Sequence, residues 1–170
     1  MNPVLEAWNE LGNDAAAAVV LPCCGSMRWA VMMANSRPVE EEATMLRRAE
    51  EIWWQLDETD WLEAFATHPR IGERETPNRA SRQSAAWSAA EQRDVLAEDD
   101  SVLAALAEGN RRYEERFGRV FLVCASGKTA REMLETLENR LANDEKTELR
   151  EAAQQQLQIT ALRLKKWLNR

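Results

Sequence analysis

The stretch that most constrains the fold is the last one, residues 144–168. Leu149, Ala153, Leu157, Thr160, Leu164 and then Trp167 or Leu168 recur three or four residues apart, the spacing of one helix face. A stripe of that length has to be buried against partners of matching form. The rest of the chain offers helices as those partners. Ala, Leu, Glu, Arg and Gln dominate it. Asn2 followed by Pro3 reads as a cap and first-turn pair, with Val4, Leu5, Trp8 and Leu11 forming a stripe that stops at Gly12. Residues 26–35 form a helix that buries Trp29, Met32 and Met33. In 39–56, Ala43, Leu46, Ala49, Ile52 or Trp53 and Leu56 repeat the pattern. Residues 57–60 break it, and Trp61, Leu62 and Phe65 begin a short helix that ends before Pro69. Helices over 88–97, from a cap at Asp100 or Ser101 to Gly118, and over 126–141 complete the set. The predicted fold is an all-α, single-domain bundle over residues 1–170, with about seven to nine helices and a long ordered loop at the active site.

Two stretches stand outside that pattern. Residues 70–87 have no period, carry Gly72 and Pro77, and read as a long ordered loop; loops of that length in compact domains are often functional. Residues 120–125, Val-Phe-Leu-Val-Cys-Ala, read as a buried strand, yet no second strand is available to pair with them. Either the segment is helical against its propensity, or its backbone groups find other partners, a ligand among the candidates.

Composition narrows the function. The chain has 170 residues, 45% of them apolar and 30% charged, and no apolar run approaches the length of a membrane span. A formal net charge of −7 argues against non-specific binding to nucleic acid or to an anionic membrane. A small anionic ligand is still compatible, because Arg70, Arg74, Arg79 and Arg82 outnumber Glu73 and Glu75 between residues 68 and 82. The N-terminus carries no signal-peptide pattern, so the expected location is cytoplasmic. Cys23, Cys24 and Cys124 are expected to be free thiols, and one histidine with no CxxC does not make a zinc site.

The chemistry-bearing residues follow. His68 is the only histidine of the chain, and Pro69 beside it fixes its backbone outside helical geometry. A ring on a rigid mount, with an ordinary pKa of about 6.5, suits proton transfer near neutral pH. The bland reading is a helix-end residue bonded to a nearby carbonyl. Ser88-Ala89-Ala90-Glu91 matches a capping box, and a helix N-terminus is also a ready anion site. The two readings compete for Glu91. Gly127-Lys128-Thr129 lacks the glycine a P-loop needs five positions earlier, where Leu122 stands. Cys124 has an apolar flank and reads as core or pocket wall. The seven tryptophans fall mostly on helical stripes and read as core.

Taken together, HPRIGE at 68–73, SAAEQ at 88–92 and FGRVFLVCASGKT at 117–129 resemble the family of 2-oxo-4-hydroxy-4-carboxy-5-ureidoimidazoline (OHCU) decarboxylases. LPCCGSMRWAVMMANSRP at 21–38 and ITALRLKKW at 159–167 are similar to the family's outer helices, so the resemblance covers nearly the whole chain. The CASGK ending resembles the bacterial and plant branch. The resemblance implies an all-helical homodimer that needs no cofactor and no metal, acts on a small anionic purine-derived substrate and makes (S)-allantoin. On that reading His68, with Pro69 beside it, handles the substrate's hydroxyl proton. Glu91 holds the hydroxyl or ureido side. Ser88, Gln92 and the backbone amides of Ala89 and Ala90 bind polar ring atoms. The backbone of Phe121, Leu122, Val123, Cys124 and Ala125 grips the flat ureido and ring groups, and Arg163 meets the carboxylate or a dimer contact. The competing readings are a helical protein-binding module without activity and a hydrolase of a ureide such as 5-hydroxyisourate.

Overall fold

The computed structural model of the chain describes residues 2–73 and 80–170. Among the described residues there are ten α-helices and no strand, slightly more helices than the sequence predicts. None of these helices is long and apolar enough to cross a membrane. The chain divides into two compact units, Met1–Ala64 with Leu157–Arg170, and Phe65–Gln156.

The first unit contains α1 (Pro3–Glu10), α2 (Asn13–Cys24), α3 (Met27–Asn35), α4 (Glu42–Trp53), most of α5 (Glu58–Phe65) and the end of α10 (Glu145–Leu168). Asn2 caps α1 through Oδ1, which accepts from the Val4 amide at 2.8 Å, and Pro3 occupies the first turn. Such a cap contributes about 1 kcal/mol. Helix α2 has no counterpart in the periodic pattern. Its residues are small and apolar nearly throughout and include Pro22, so no polar face announces it; it ends at Gly25, whose φ of +95° favours glycine. Within α3, Trp29 and Met33 are buried but Met32 is only half-buried. In α4 the buried face is Met45, Ala49, Ile52 and Trp53, leaving Ala43 exposed, so the predicted stripe is one residue out in the first turns.

Buried indoles are satisfied by carbonyls: Trp8 Nε1 donates to Ala16 O at 2.9 Å and Trp29 Nε1 to Ala49 O at 3.1 Å. Trp8 and Trp167 meet edge to face at 5.9 Å. The predicted core role holds for Trp8, Trp29, Trp53, Trp87 and Trp167, whereas Trp54 and Trp61 are half-buried.

The second unit contains α6 (Arg82–Glu91), α7 (Arg93–Leu96), α8 (Asp100–Phe117), α9 (Ala130–Arg140) and the part of α10 before residue 157. Its core includes Ile71, Leu106, Tyr113, Phe121, Val123, Met133 and Leu137. Helices α8 and α9 approach closely at Gly109, where a Cβ would stand 2.7 Å from Leu137 Cδ2. Asp99 caps α8, one residue before the predicted position. Thr129 and Glu132 form a reciprocal capping box, so α9 begins four residues later than the sequence predicts.

Candidate active site

His68 lies in the turn that leaves α5, with its amide donating to Phe65 O at 3.1 Å. Pro69 stops the helix there, as the sequence implies. The ring is buried, and its Nε2 stands 2.8 Å from Oε1 of Gln156, a fully buried side chain on α10. The next residues are held just as firmly. Asn110 of α8 donates through Nδ2 to Ile71 O at 2.9 Å, and Gln92, at the end of α6, accepts the Gly72 amide on Oε1 at 3.0 Å. Gly72 has a φ of +84°, a conformation that favours glycine. Arg70 forms a bidentate pair with Glu114, Nε to Oε1 at 2.6 Å and Nη2 to Oε2 at 2.9 Å. Three helices of this unit thus clamp residues 68–73.

The predicted cluster of arginines is reduced accordingly. Arg70 is committed to Glu114 and Glu73, Arg82 is exposed, and Arg74 and Arg79 lie outside the described residues. The predicted loop over 70–87 is shorter than expected, because α6 begins at Arg82 with Ser81 as its cap. This corrects the reading of Ser88-Ala89-Ala90-Glu91 as a capping box. Ser88 sits inside α6, its carbonyl accepting the Gln92 amide at 3.1 Å, and no helix N-terminus faces a ligand from that position. Glu91 ends α6 and is half-buried, at the end where a helix disfavours negative charge. A cap does not explain it there.

A cavity of about 240 Å³ opens between this loop and α6. Pro69 and Glu73 line it from the loop, Ala85, Ser88 and Ala89 from one face of α6, and Gln92 and Leu96 beyond. Of the predicted binding residues, Pro69, Ser88, Ala89 and Gln92 are therefore brought together. Ala90 is exposed and lies outside this lining, as does Glu91.

Residues 120–125 form neither helix nor strand, so the predicted strand is absent among the described residues, and all of residues 121–125 are buried. Their backbone needs no ligand to be satisfied at two points. Arg140 Nη1 donates to Leu122 O at 2.7 Å, and Gln155 Oε1 accepts the Cys124 amide at 2.9 Å. At a third point the Ala125 carbonyl accepts the Lys128 amide at 3.1 Å. The side chains of Phe121, Val123 and Ala125 belong to the core cluster. Arg140 is itself held by a buried pair with Glu148, which also accepts from Tyr113 Oη at 2.6 Å and Asn143 Nδ2 at 2.9 Å. Burial and the Glu148 carboxylate push the Tyr113 phenol up, so it stays a neutral donor.

Arg163 belongs to the first unit. It has no exposed surface, and its Nη1 donates to Pro22 O at 3.4 Å. Beside it, burial pushes the Cys23 and Cys24 thiols up to about 12, with the Arg163 guanidinium opposing that shift. They are protonated and unreactive at neutral pH. Among the described residues no cluster of His, Cys, Asp or Glu is arranged to hold a metal ion. Asn110, Arg140, Glu148, Gln155 and Gln156 shape the site without any sequence motif that announces them.

Comparison with known proteins gives the same direction. The sequence profile of the OHCU decarboxylases matches residues 9–165. The chain is 42% identical over 146 residues to a protein from Arabidopsis thaliana named uric acid degradation bifunctional protein TTL, covering 85% of this chain but 44% of that protein. It thus spans under half the length of that relative. Its fold superposes on a crystal structure of OHCU decarboxylase in the presence of (S)-allantoin with a TM-score of 0.76, at 39% identity over 88% of this chain and 96% of that one. A structure of (S)-allantoin synthase shares the fold at a TM-score of 0.70 with 15% identity, over 96% of this chain and 53% of that one.

Proposed function

The chain belongs to the OHCU decarboxylase family, and from that premise we propose that it decarboxylates OHCU stereospecifically to (S)-allantoin in urate breakdown. The observation that carries the reading is the match over residues 9–165, which includes His68 on its clamped loop.

The chemistry needs little from the protein beyond placement and proton management. The substrate carries a hydroxyl and a carboxylate on one ring carbon, next to a C=N bond. When the bond to the carboxylate breaks and carbon dioxide leaves, its electron pair delocalises into that C=N. The substrate is its own electron sink, so the reaction calls for no cofactor. The nitrogen of that C=N takes up a proton, the hydroxyl-bearing carbon becomes a carbonyl as its O–H proton leaves, and a proton is added to one face of the neighbouring carbon. His68 takes the hydroxyl proton. Glu91 holds the hydroxyl or ureido side, where it also influences the ring of His68. The cavity walls, Pro69, Ser88, Ala89 and Gln92, place polar ring atoms, and the backbone of Phe121, Leu122, Val123, Cys124 and Ala125 grips the flat ureido and ring groups. The active form is a homodimer.

The test uses OHCU made in situ from urate by the enzymes that precede it. Faster loss of OHCU than its spontaneous decay, with an optically active product, supports the proposal. Racemic allantoin formed at the spontaneous rate overturns it in favour of a binding module.

A further inference from the structure

We propose that a second cavity, between residues 70–73 and α8, is a binding site for a small organic cation with N–H donors, of the alkylguanidinium or alkylammonium kind.

The cavity has a volume of about 160 Å³ and is lined by Arg70, Glu73, Ala107, Asn110, Arg111 and Glu114. It is far larger than the roughly 10–15 Å³ that one water molecule needs. Asn110 is 1% exposed, and its amide has one orientation. Nδ2 donates to Ile71 O at 2.9 Å, which only the nitrogen end of the amide can do. Oδ1 is buried as well, yet no group among the described residues donates to it. Buried carbonyl oxygens are nearly always paired, so this one calls for a donor from outside the chain. The backbone of Asn110 is enclosed in α8, so the side chain is what it turns to the cavity.

The charges around the cavity point the same way. Arg70 is held by Glu114 in two bonds, at 2.6 and 2.9 Å. Arg111 is held by Glu108 at 2.6 Å and by Glu115. Both guanidinium groups are thus matched, and with Glu73 the carboxylates outnumber them. Glu73 meets Arg70 only at 3.4 Å, Oε2 to Nη1, and a carboxylate accepts more than one such bond. The unmet capacity of the walls is therefore for donors, and a cation with several N–H groups supplies them to Asn110 and Glu73 together. Among the described residues no cluster of His, Cys, Asp or Glu is arranged to hold a metal ion, which favours an organic cation.

Glu73 also lines the candidate active cavity, so the two cavities share a wall. A cation bound beside Glu73 offsets its negative charge. For an anionic substrate that lessens repulsion, and the KM for OHCU is expected to fall about two- to fivefold, an effect that added salt screens. This coupling rests on the proposed decarboxylation; the binding does not.

The probe is methylguanidinium, titrated into 15N-labelled protein and followed by NMR. Saturable shifts are expected in the Asn110 side-chain amide and the Glu73 backbone amide. Tetramethylammonium has the charge without the N–H donors and is expected to move neither, as is potassium. Ala107→Leu fills the cavity from an exposed helix position and is expected to abolish the shifts, with turnover in the absence of the cation unchanged. No saturable shift, equal binding of tetramethylammonium or potassium, or binding that survives Ala107→Leu overturns the site. Binding with an unchanged KM overturns the coupling. If wild-type protein fails to accelerate OHCU loss, the proposed function falls instead, and the binding is still read from the spectra, which need no turnover.

Discussion

Arg140 and Glu148 are paired in the interior of the second unit, and the same guanidinium donates to the carbonyl of Leu122 at 2.7 Å. The pair therefore does two things at once. It neutralises a buried charge on each side, and it holds the backbone of residues 120–125, which no strand pairs, at Leu122. Removing one partner leaves the other charge buried. Glu148→Gln or Arg140→Met is expected to lower stability by about 3–5 kcal/mol, read by chemical denaturation. The double variant Arg140→Met with Glu148→Gln is expected to lose less than the sum of the two, because it leaves no uncompensated charge. Additive losses in that double-mutant cycle would contradict the pairing.

His68→Asn removes the ring while keeping a short polar group on the clamped turn. Loop residues 70–73 are held by Glu114, Asn110 and Gln92 independently of the ring, so the fold is expected to survive. The rate of OHCU decarboxylation is expected to fall about 100- to 10,000-fold, the usual contribution of a positioned acid or base. Circular dichroism establishes the fold and the OHCU assay the rate. A folded variant with near-normal turnover removes His68 from the mechanism.

Glu91 separates two explanations that the sequence leaves open. As the last residue of α6 it caps no helix N-terminus, so Glu91→Gln is expected to leave the melting temperature nearly unchanged or slightly raised, since it removes a negative charge from a helix C-terminus. A large loss of rate is expected in the same protein. A melting temperature that falls while the rate holds would return Glu91 to a structural role.

What the sequence makes legible follows from how local each signal is. Helices α1 and α8 carry apolar residues at helical spacing with caps at their ends, and both signals are local to the element. Helix α6 is misplaced for the opposite reason. Ser-Ala-Ala-Trp-Ser-Ala-Ala has no polar face to set a period, so a four-residue match at Ser88 outweighs the actual cap at Ser81. The segment at 120–125 reads as a buried strand; residues 121–125 are buried, but no strand forms there, and its partners are side chains of Arg140 and Gln155, 18 and 31 residues away in sequence. His68 is legible because it is alone and precedes a proline. Gln156 is not, since a glutamine within a run of three reads as solvated surface until the tertiary fold buries it.

Gly72 is the hinge of the clamped loop. Its φ of +84° is one that a side chain adopts only with strain, although the space around it is ordinary, the nearest Cβ contacts being 3.6 Å to Leu103 and Leu106. Gly72→Ala is therefore expected to cost about 1–2 kcal/mol from the backbone alone. Any relaxation is expected to loosen the Gln92 contact first, so the rate is expected to fall more than stability does. A variant as stable and as active as wild type would mean that the loop tolerates another path.

The buried thiols of Cys23 and Cys24 set an alkaline limit. Their ordinary value of 9.0 is raised by burial to about 12 in the folded chain. Between those values the unfolded chain loses protons that the folded chain keeps, so the unfolded state binds fewer protons and stability falls as pH rises. The contribution is fully present below pH 9 and is lost towards pH 12, at about 1 kcal/mol per pH unit for each thiol. Tyr113, whose phenol is also pushed up, adds to the same decline above its ordinary value of 10.0. Replacing both cysteines with alanine leaves small cavities and lowers stability at pH 7, yet the slope above pH 9 is expected to flatten. Denaturation midpoints taken between pH 8 and 11 check it, and a slope unchanged by the double substitution would assign the decline to other groups.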